Sequence, residues 1–591
     1  MSEPRTLVGL GVSGGIAIGK PIVVENRPLP VTLVQLSHEG GVEAEVARLH
    51  GAATRAAARL AELAGEATRT VGAEYGAIFE AQRLMLEDPA FLDEVERLVR
   101  TEAVNAEWAL EQVTHRLVAQ FEQLGDLYLR ERRGDVLDVA LELQRSLQGR
   151  AAAPIEFSGA TSILIADDIP PSQALRLATR MVGGFASETG GLTSHTTIIA
   201  KSLGIPAVVG IPGLVREVER AGLVIVDGFE GHLIVDPDPA LIQVYGLRAE
   251  EHRRRQHELL GLAHLPAVTS DGRAMRLLAN IDLVPEIAAA KAGGAQGIGL
   301  FRSEFLFIQA SPELPNEDRQ AAAYAELLAA FPSGPVTVRT FDLGGRKLAR
   351  EMLGNPENNP VLGLRGVRLC LQKPEFFRTQ LRALLRAAGQ YPDALRIMVP
   401  LIGHVEEVKT VRVLLRRYRA ELRSEGIVVP DRVIVGVMIE VPAAAMIAEH
   451  LAREVDFFAI GTNDLTQYTL AVDRGNEQVS KLFRPFHPAV LRLVERVISV
   501  GARAGIPVSL CGEMAADPLA VPLLVGLGLT EFSMHPPALP LARSLIRAVS
   551  FREARRMAQR ALALATAKEV EEYLLEQLSG LLSHLKVRIL P

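Results

Sequence analysis

The stretch TSHTTIIAKSLGIPAVVG at residues 193–210 sets His195 between hydroxyl residues and an apolar run, directly after the pair Gly190 and Gly191. At a helix start, free backbone N–H groups and the helix dipole favour an anion. Thr193 and Ser194 can cap such a helix and donate to phosphate oxygens, and glycine lets a backbone approach closely. Neutral imidazole is a competent nucleophile for a phosphoryl group, and the phosphoramidate formed stays reactive enough to pass it on. The same residues equally fit a plain helix N-cap that contains a histidine, so this stretch alone leaves both readings open.

A second set of polar residues lies in the C-terminal half, each just after a short apolar run. These are Arg302 and Glu304, Arg339 and Asp342, Glu440, Asn463 and Asp464, and Cys511 with Glu513; Arg365 and Arg474 are near them in sequence. Arginine forks grip a phosphate dianion or a carboxylate. Glu440 and Asp464 are hard oxygen ligands, and two carboxylates plus substrate oxygens suit Mg²⁺ better than zinc, while accepting Mn²⁺ as well. Asn463 can hydrogen-bond a carboxylate. A thiol such as Cys511 can act as a general acid; buried structural cysteine is the commoner case.

The apolar runs that carry these residues number eight from residue 275 onward: MRLLANI, GIGLFRSE, VTVRTFDL, RIMVPLI, VIVGVMIE, FFAIGTND, PVSLCGE and EFSMHP. They alternate with helical stretches, which predicts a (β/α)₈ barrel; the alternative is an open doubly wound sheet, and the count favours closure. Barrel enzymes keep their reactive groups where strands end, so polar ends on five strands would meet at one mouth.

The N-terminal half has two textures. TLVGLGVSGGIAIGKPIVV reads as one or two strands, and SILIA, MVGGFAS, PAVVG and LVIVDG between residues 154 and 237 have the same character. Between them, residues 31–149 are rich in Ala, Leu, Glu and Arg at helical spacing, which predicts a bundle of three or four helices inserted into one α/β domain. This segment has 12 Arg and no Lys against 16 Glu and 5 Asp, a net charge of -9, so it could steer a basic protein partner. A charged helix near residues 241–265 then leads into the barrel.

At 591 residues the chain exceeds one core, and 48% hydrophobic with 23% charged residues fits a folded protein. A net charge of -6 argues against a general nucleic-acid binder. Cys370 and Cys511 are the only cysteines, so no disulfide framework is expected. The N-terminus does not read as a signal peptide and no uncharged run is long enough to span a bilayer, so a cytoplasmic location is expected.

GGLTSHTTIIAKSLGIPAVVG resembles the phosphohistidine signature of the PEP-utilising enzymes, and VDFFAIGTNDLTQYTLAVDRGN resembles their second signature. GLFRSEFLF, VRTFDLGG, VMIEVPAAA and SLCGEMAAD match further blocks in order, and the insert with YLRERRGDVLD makes the whole chain similar to the enzyme I family of the bacterial phosphotransferase system. The resemblance implies a transferase in which His195 takes a phosphoryl group from phosphoenolpyruvate (PEP) and gives it to the histidine phosphocarrier HPr. It implies PEP binding by Arg302, Arg339, Asn463, Asp464 and Arg474 with Arg365 as a helper, Mg²⁺ on Glu440 and Asp464, and Cys511 as the proton donor that turns enolpyruvate into pyruvate. It further implies an α/β phosphohistidine domain of residues 1–30 and 150–240, an HPr-docking bundle of 31–149, a linker of 241–265 and a PEP-binding, dimerising barrel of 266–591. Because His195 must serve both the barrel and HPr, a swing of the N-terminal half about the linker is expected.

Leu192, Pro170, Arg346 and Gln82 depart from the family pattern, where Arg, Thr, Asp and His are usual; none is a carried-over catalytic position. Pyruvate phosphate dikinase and PEP synthase share the histidine domain and barrel but need an ATP-grasp domain, for which no segment here remains. An inactive PEP-binding regulator is the other alternative, and the complete ligand set argues against it.

Overall fold

The computed structural model describes residues 4–24, 31–36, 39–70, 73–123, 127–149, 162–167, 182–189, 200, 205–219, 221–282, 284–304, 306, 316–342, 359, 361–474, 476 and 479–585. His195, Leu192, Pro170 and Arg346 lie outside these residues. The chain divides into two units between Arg254 and Arg255. Among the described residues no helix is long and apolar enough to cross a membrane.

The first unit holds a sheet of β1 (Arg5–Val8), β2 (Leu10–Ser13), β3 (Ile16–Val24), β4 (Ser162–Ala166), β5 (Gly184–Ser187), β6 (Ala207–Val209), β7 (Val224–Asp227) and β8 (His232–Val235), in the order β1-β8-β7-β3-β4-β5-β6-β2. Strand β3 pairs antiparallel with β7 and parallel with β4, with Ile22 opposite Leu164. Neighbours in the sheet are thus separated in sequence by the helical segment, which is an insertion into one α/β domain. The N-terminal run makes three strands instead of one or two. Inside β2, Gly11 allows a close backbone approach, since a Cβ there would sit 2.4 Å from the Gly228 carbonyl oxygen. Strand β8 carries a four-residue run, HLIV, too short to stand out from the turn before it.

Among its described residues the insertion contains five helices, α1 (Glu39–Thr70), α2 (Ala73–Leu86), α3 (Pro89–Glu102), α4 (Ala106–Gln123) and α5 (Leu127–Leu147), one more than the upper expectation. Proline starts α3, where its missing N–H costs nothing, and α3 ends at Ala103, which takes a left-handed φ of 49°. Leu49, Leu60, Leu98, Leu110 and Leu143 share the bundle core. Gln82 is buried with them, and its Nε2 donates to Asp138 Oδ2 at 3.2 Å. The exchange of His for Gln there therefore acts on the bundle interior and presents no side chain at the surface.

The second unit is a closed barrel of eight parallel strands: β9 (Arg276–Ile281), β10 (Ile298–Arg302), β11 (Val336–Arg339), β12 (Leu395–Val399), β13 (Ile434–Ile439), β14 (Phe457–Ile460), β15 (Val508–Leu510) and β16 (Glu531–Met534). Closure is made by β16 on β9, with Phe532 opposite Leu277. All eight expected runs are strands of this barrel. Alternation explains why they are largely apolar. Met398, Met438 and Ala459 point to an interior cluster with Leu300, Phe457 and Cys511, while their neighbours Ile397, Val399, Val437, Ile439, Phe458 and Ile460 join the core under the helices. At the opposite end from the strand C-termini, Glu531 takes Arg276 at 2.7 Å and Arg396 at 2.9 Å, tying the starts of β16, β9 and β12 together.

Candidate active site at the barrel mouth

With both faces of each strand buried in largely apolar surroundings, a charged side chain finds room mainly where the strand starts or stops. Arg302 ends β10, Arg339 ends β11, Glu440 follows β13, and Cys511 follows β15. Asn463 and Asp464 stand in the first turn of the helix Thr462–Leu470, directly after β14. Arg365 precedes the helix Val367–Gln372, and Arg474 follows Thr462–Leu470 by four residues. The charges that act on each group identify its neighbours. Cys511 feels Glu440, Arg339 and Arg302; Arg339 feels Glu304, Asp342 and Glu440; and Glu440 feels Asp464, Asp342 and Arg365. The barrel residues singled out from sequence therefore share one mouth.

Its floor is a network of buried charges. Arg339 lies 3.2 Å from both Glu304 and Asp342, with Nη1 at 4.0 Å from the Met438 sulfur. Arg365 forks onto both oxygens of Asp342, at 3.1 and 2.7 Å, and reaches Asp464 at 3.0 Å and the Tyr468 hydroxyl at 3.2 Å. Tyr468 in turn donates to the Val361 carbonyl at 2.6 Å. Burial alone would raise the Asp342 pKa, but Arg339 and Arg365 outweigh it and hold the carboxyl below its ordinary range. Glu440 has the opposite balance. Burial, then the negative charges of Asp464 and Asp342, push its carboxyl well above the ordinary range despite the two arginines. Its Oε1 accepts the Leu401 N–H at 2.7 Å, and Leu401 takes a left-handed φ of 56°. That conformation is costly for a residue with a Cβ and recurs at functional sites.

Two arginines stand at the rim. Arg302 is half-exposed, with Nε 3.0 Å from Asp282 Oδ1. Arg474 is also half-exposed, its backbone N–H donating to Gln467 at 3.1 Å and its guanidinium 3.9 Å from Asp464. Asn463 accepts the Glu513 N–H at 3.1 Å and donates to the Glu513 carboxylate at 3.4 Å, linking the loops after β14 and β15. The Cys511 thiol is buried in the floor, and burial with the nearby Glu440 charge pushes it up to about 12. Asn280 on β9 donates to the Cys511 carbonyl at 2.9 Å and accepts from Ser533 at 2.6 Å, which fixes the strand end bearing the thiol.

The central place of Asp342 and the contribution of Tyr468 were not evident from sequence. Asp342 was visible only as one of several strand-end carboxylates, and its partner Arg365 comes from a separate loop. Tyr468 did carry a signal, because it lies four residues after Asp464 on one helix and so shares its face.

Comparison with known proteins finds relatives along most of the chain. Three family descriptions match in order: "PEP-utilising enzyme, N-terminal" over residues 8–132, "PEP-utilising enzyme, mobile domain" over 159–231, and "PEP-utilising enzyme, PEP-binding domain" over 256–551. The phosphoenolpyruvate-protein phosphotransferase of Geobacillus stearothermophilus is 41% identical over 569 residues, covering 96% of this chain and 97% of that one. Its namesake from Bacillus subtilis is 39% identical, covering 97% and 99%, and that from Cupriavidus necator is 42% identical, covering 91% and 93%. Such identity along nearly the full length of both partners, over a chain that carries all three parts in sequence, makes this chain a member of the PEP-utilising enzymes, in the phosphoenolpyruvate-protein phosphotransferase family.

Proposed function

We propose that the chain takes the phosphoryl group of PEP onto His195, releases pyruvate, and passes the group on to the phosphocarrier HPr. The observation that carries this reading is the meeting of two half-exposed arginines, the carboxylates of Glu440 and Asp464 and the buried Cys511 thiol at one barrel mouth. In this reading Arg302, Arg339 and Arg474 bind the phosphate and carboxylate oxygens of PEP, Asn463 holds the carboxylate, and Arg365 keeps Asp342 and Asp464 in place. Phosphoryl transfer breaks the bond between phosphorus and the enol oxygen and forms one between phosphorus and a His195 ring nitrogen. The enolate left behind takes a proton at its methylene carbon. A thiol pushed up to about 12 is still protonated at neutral pH and so has that proton to give. The thiolate is then reprotonated from water.

Glu440 and Asp464 are the residues that would hold Mg²⁺. The site fits a cation, since Glu440 is crowded by the charges of Asp464 and Asp342, and Gly461 leaves beside Glu440 Oε2 the space that a Cβ at 3.0 Å would fill. Among the described residues no three or more His, Cys, Asp or Glu side chains group as a metal cage, and Mg²⁺ ordinarily uses one or two carboxylates with water and substrate oxygens. When bound it would neutralise charge spreading over the transferring phosphoryl oxygens. The net charge of -9 on residues 31–149 supports the bundle as the surface that meets HPr, and a cytoplasmic site of action goes with this reading.

The test is incubation of the purified chain with phosphate-labelled PEP and Mg²⁺, beside His195→Ala and beside labelled ATP. Acid-labile, base-stable label from PEP alone, absent from His195→Ala and passed to added HPr, is the expected result. Label from ATP would place the chain with the dikinases, and no label from either would leave a PEP-binding regulator.

A further inference from the structure

The strand end that carries Arg339 leaves the barrel ladder within three residues, and side chains take over its backbone. Thr340 still donates to the Met398 carbonyl at 2.8 Å. Beyond it, the Phe341 N–H donates to Gln380 Oε1 at 3.1 Å, the Asp342 N–H donates to Glu304 at 2.5 Å, and the Cys370 thiol lies 3.7 Å from the Phe341 carbonyl. Gln380 comes from the helix Pro374–Ala387, outside the barrel wall, and is completely buried. Its Nε2 donates to Ser303 Oγ at 2.9 Å and to the Tyr324 hydroxyl at 3.2 Å. Ser303 donates onward to the Arg339 carbonyl at 2.7 Å, and Tyr324 to Gln320 at 3.2 Å. Ser303 is the residue after Arg302. One carboxamide thus ties the end of β10, at Arg302-Ser303, to the end of β11, at Arg339-Phe341.

Resting on the PEP reading above, we propose that Gln380 is a positioning residue that sets the spacing of Arg302 and Arg339, and so the grip of the mouth on its phosphorylated substrate. The chemistry asks for this side chain. A buried N–H with no acceptor is costly, so an apolar residue at 380 would drive the Phe341 N–H to move toward another partner. Because Phe341 lies between Arg339 and Asp342, that movement is passed directly to both charges.

Gln380→Met keeps the length of the side chain and removes all three bonds. The expected result is a rise of about ten-fold in the PEP concentration that half-saturates phosphorylation, as for a sub-ångström misplacement of a binding group. The maximal rate should stay within about three-fold, since no reacting group is lost. Ser303→Ala, the milder variant, cuts the Gln380–Ser303 bond and the link to the Arg339 carbonyl but leaves the bonds of Gln380 to Phe341 and Tyr324, and the double variant should be little worse than Gln380→Met because the two act through one chain of bonds. Leu384→Ala, a buried residue of the same helix, is the stability control and should lower the melting temperature without moving half-saturation. Amide hydrogen exchange at Phe341 is measured alongside and should accelerate in Gln380→Met. Half-saturation unchanged in Gln380→Met, or raised equally by Leu384→Ala, overturns the positioning assignment. A wild type that takes no label from PEP sinks the substrate reading instead, and faster exchange at Phe341 would then still mark the clamp between the two strand ends.

Discussion

Glu531 offers a separation of stability from chemistry, because it lies at the end of the barrel away from the mouth. Its carboxylate is 7% exposed and bridges Arg276 and Arg396. Glu531→Gln keeps the shape, removes the charge and turns an N–H₂ group toward one of two guanidiniums that have only donors to offer. Removing one partner of a buried ion pair costs about 3–5 kcal/mol. Arg276, 44% exposed, recovers most of its loss from water, whereas Arg396, at 13%, does not. The low end of the range, about 3 kcal/mol, is therefore expected. With an unfolding entropy of roughly 2 cal/mol/K per residue, a unit of this size loses about 0.7 kcal/mol of stability per degree near its midpoint, so the barrel transition should fall by about 4 °C. Differential calorimetry of the full chain reads the shift, and PEP labelling at 25 °C, measured on the same preparation, should be unchanged. A fall below about 1 °C would refute the energetic reasoning. Lost labelling in a variant that melts normally would refute the division between the barrel's two ends.

Two further outcomes test the mouth and the turn just before β9. Cys511→Ala should slow pyruvate formation by roughly 10²–10⁴, the usual contribution of a positioned acid, while leaving half-saturation by PEP in place; an unchanged rate of pyruvate release would remove Cys511 from the mechanism. Asp271 accepts the Phe551 N–H at 2.8 Å, the Thr269 hydroxyl at 2.7 Å and the Arg552 N–H at 3.2 Å, and the Phe551 bond above all holds its carboxyl down to about 2. A folded-state pKa below the unfolded one stabilises the protein above the ordinary carboxylate range, and the effect is lost as pH falls through the folded value. The melting-temperature gap between wild type and Asp271→Asn should thus be full at pH 6 and close as pH falls from about 4 to about 2. A gap that persists at the lowest pH would show that shape, not charge, is what Asp271 supplies.

The barrel strands and their chemical ends were legible for one physical reason. In a closed parallel barrel under helices both faces of a strand are apolar, as Val437, Met438 and Ile439 are, so the first polar residue after the run, Glu440, marks the mouth. Arg302 follows the same logic, whereas Arg339 and Cys511 end runs that already hold one small hydroxyl residue each, Thr337 and Ser509. Pairings between loops were not legible, because nothing in the spacing of Asp342 and Arg365, 23 residues apart, says that they meet. Gln380 is the instructive case. Phe377, Leu381 and Leu384 form the apolar stripe of its helix, and Gln380 stands three after the first and four before the last, inside that stripe. Polar residues on a helix are ordinarily given to solvent, yet one inside the stripe must find partners within the core or cost stability. Its partners here include a backbone N–H, which no side-chain pattern displays, released where β11 leaves the ladder. A strand that must end abruptly to present a charge creates such an orphan by necessity, and a buried carboxamide on a neighbouring helix is the chemistry that meets it.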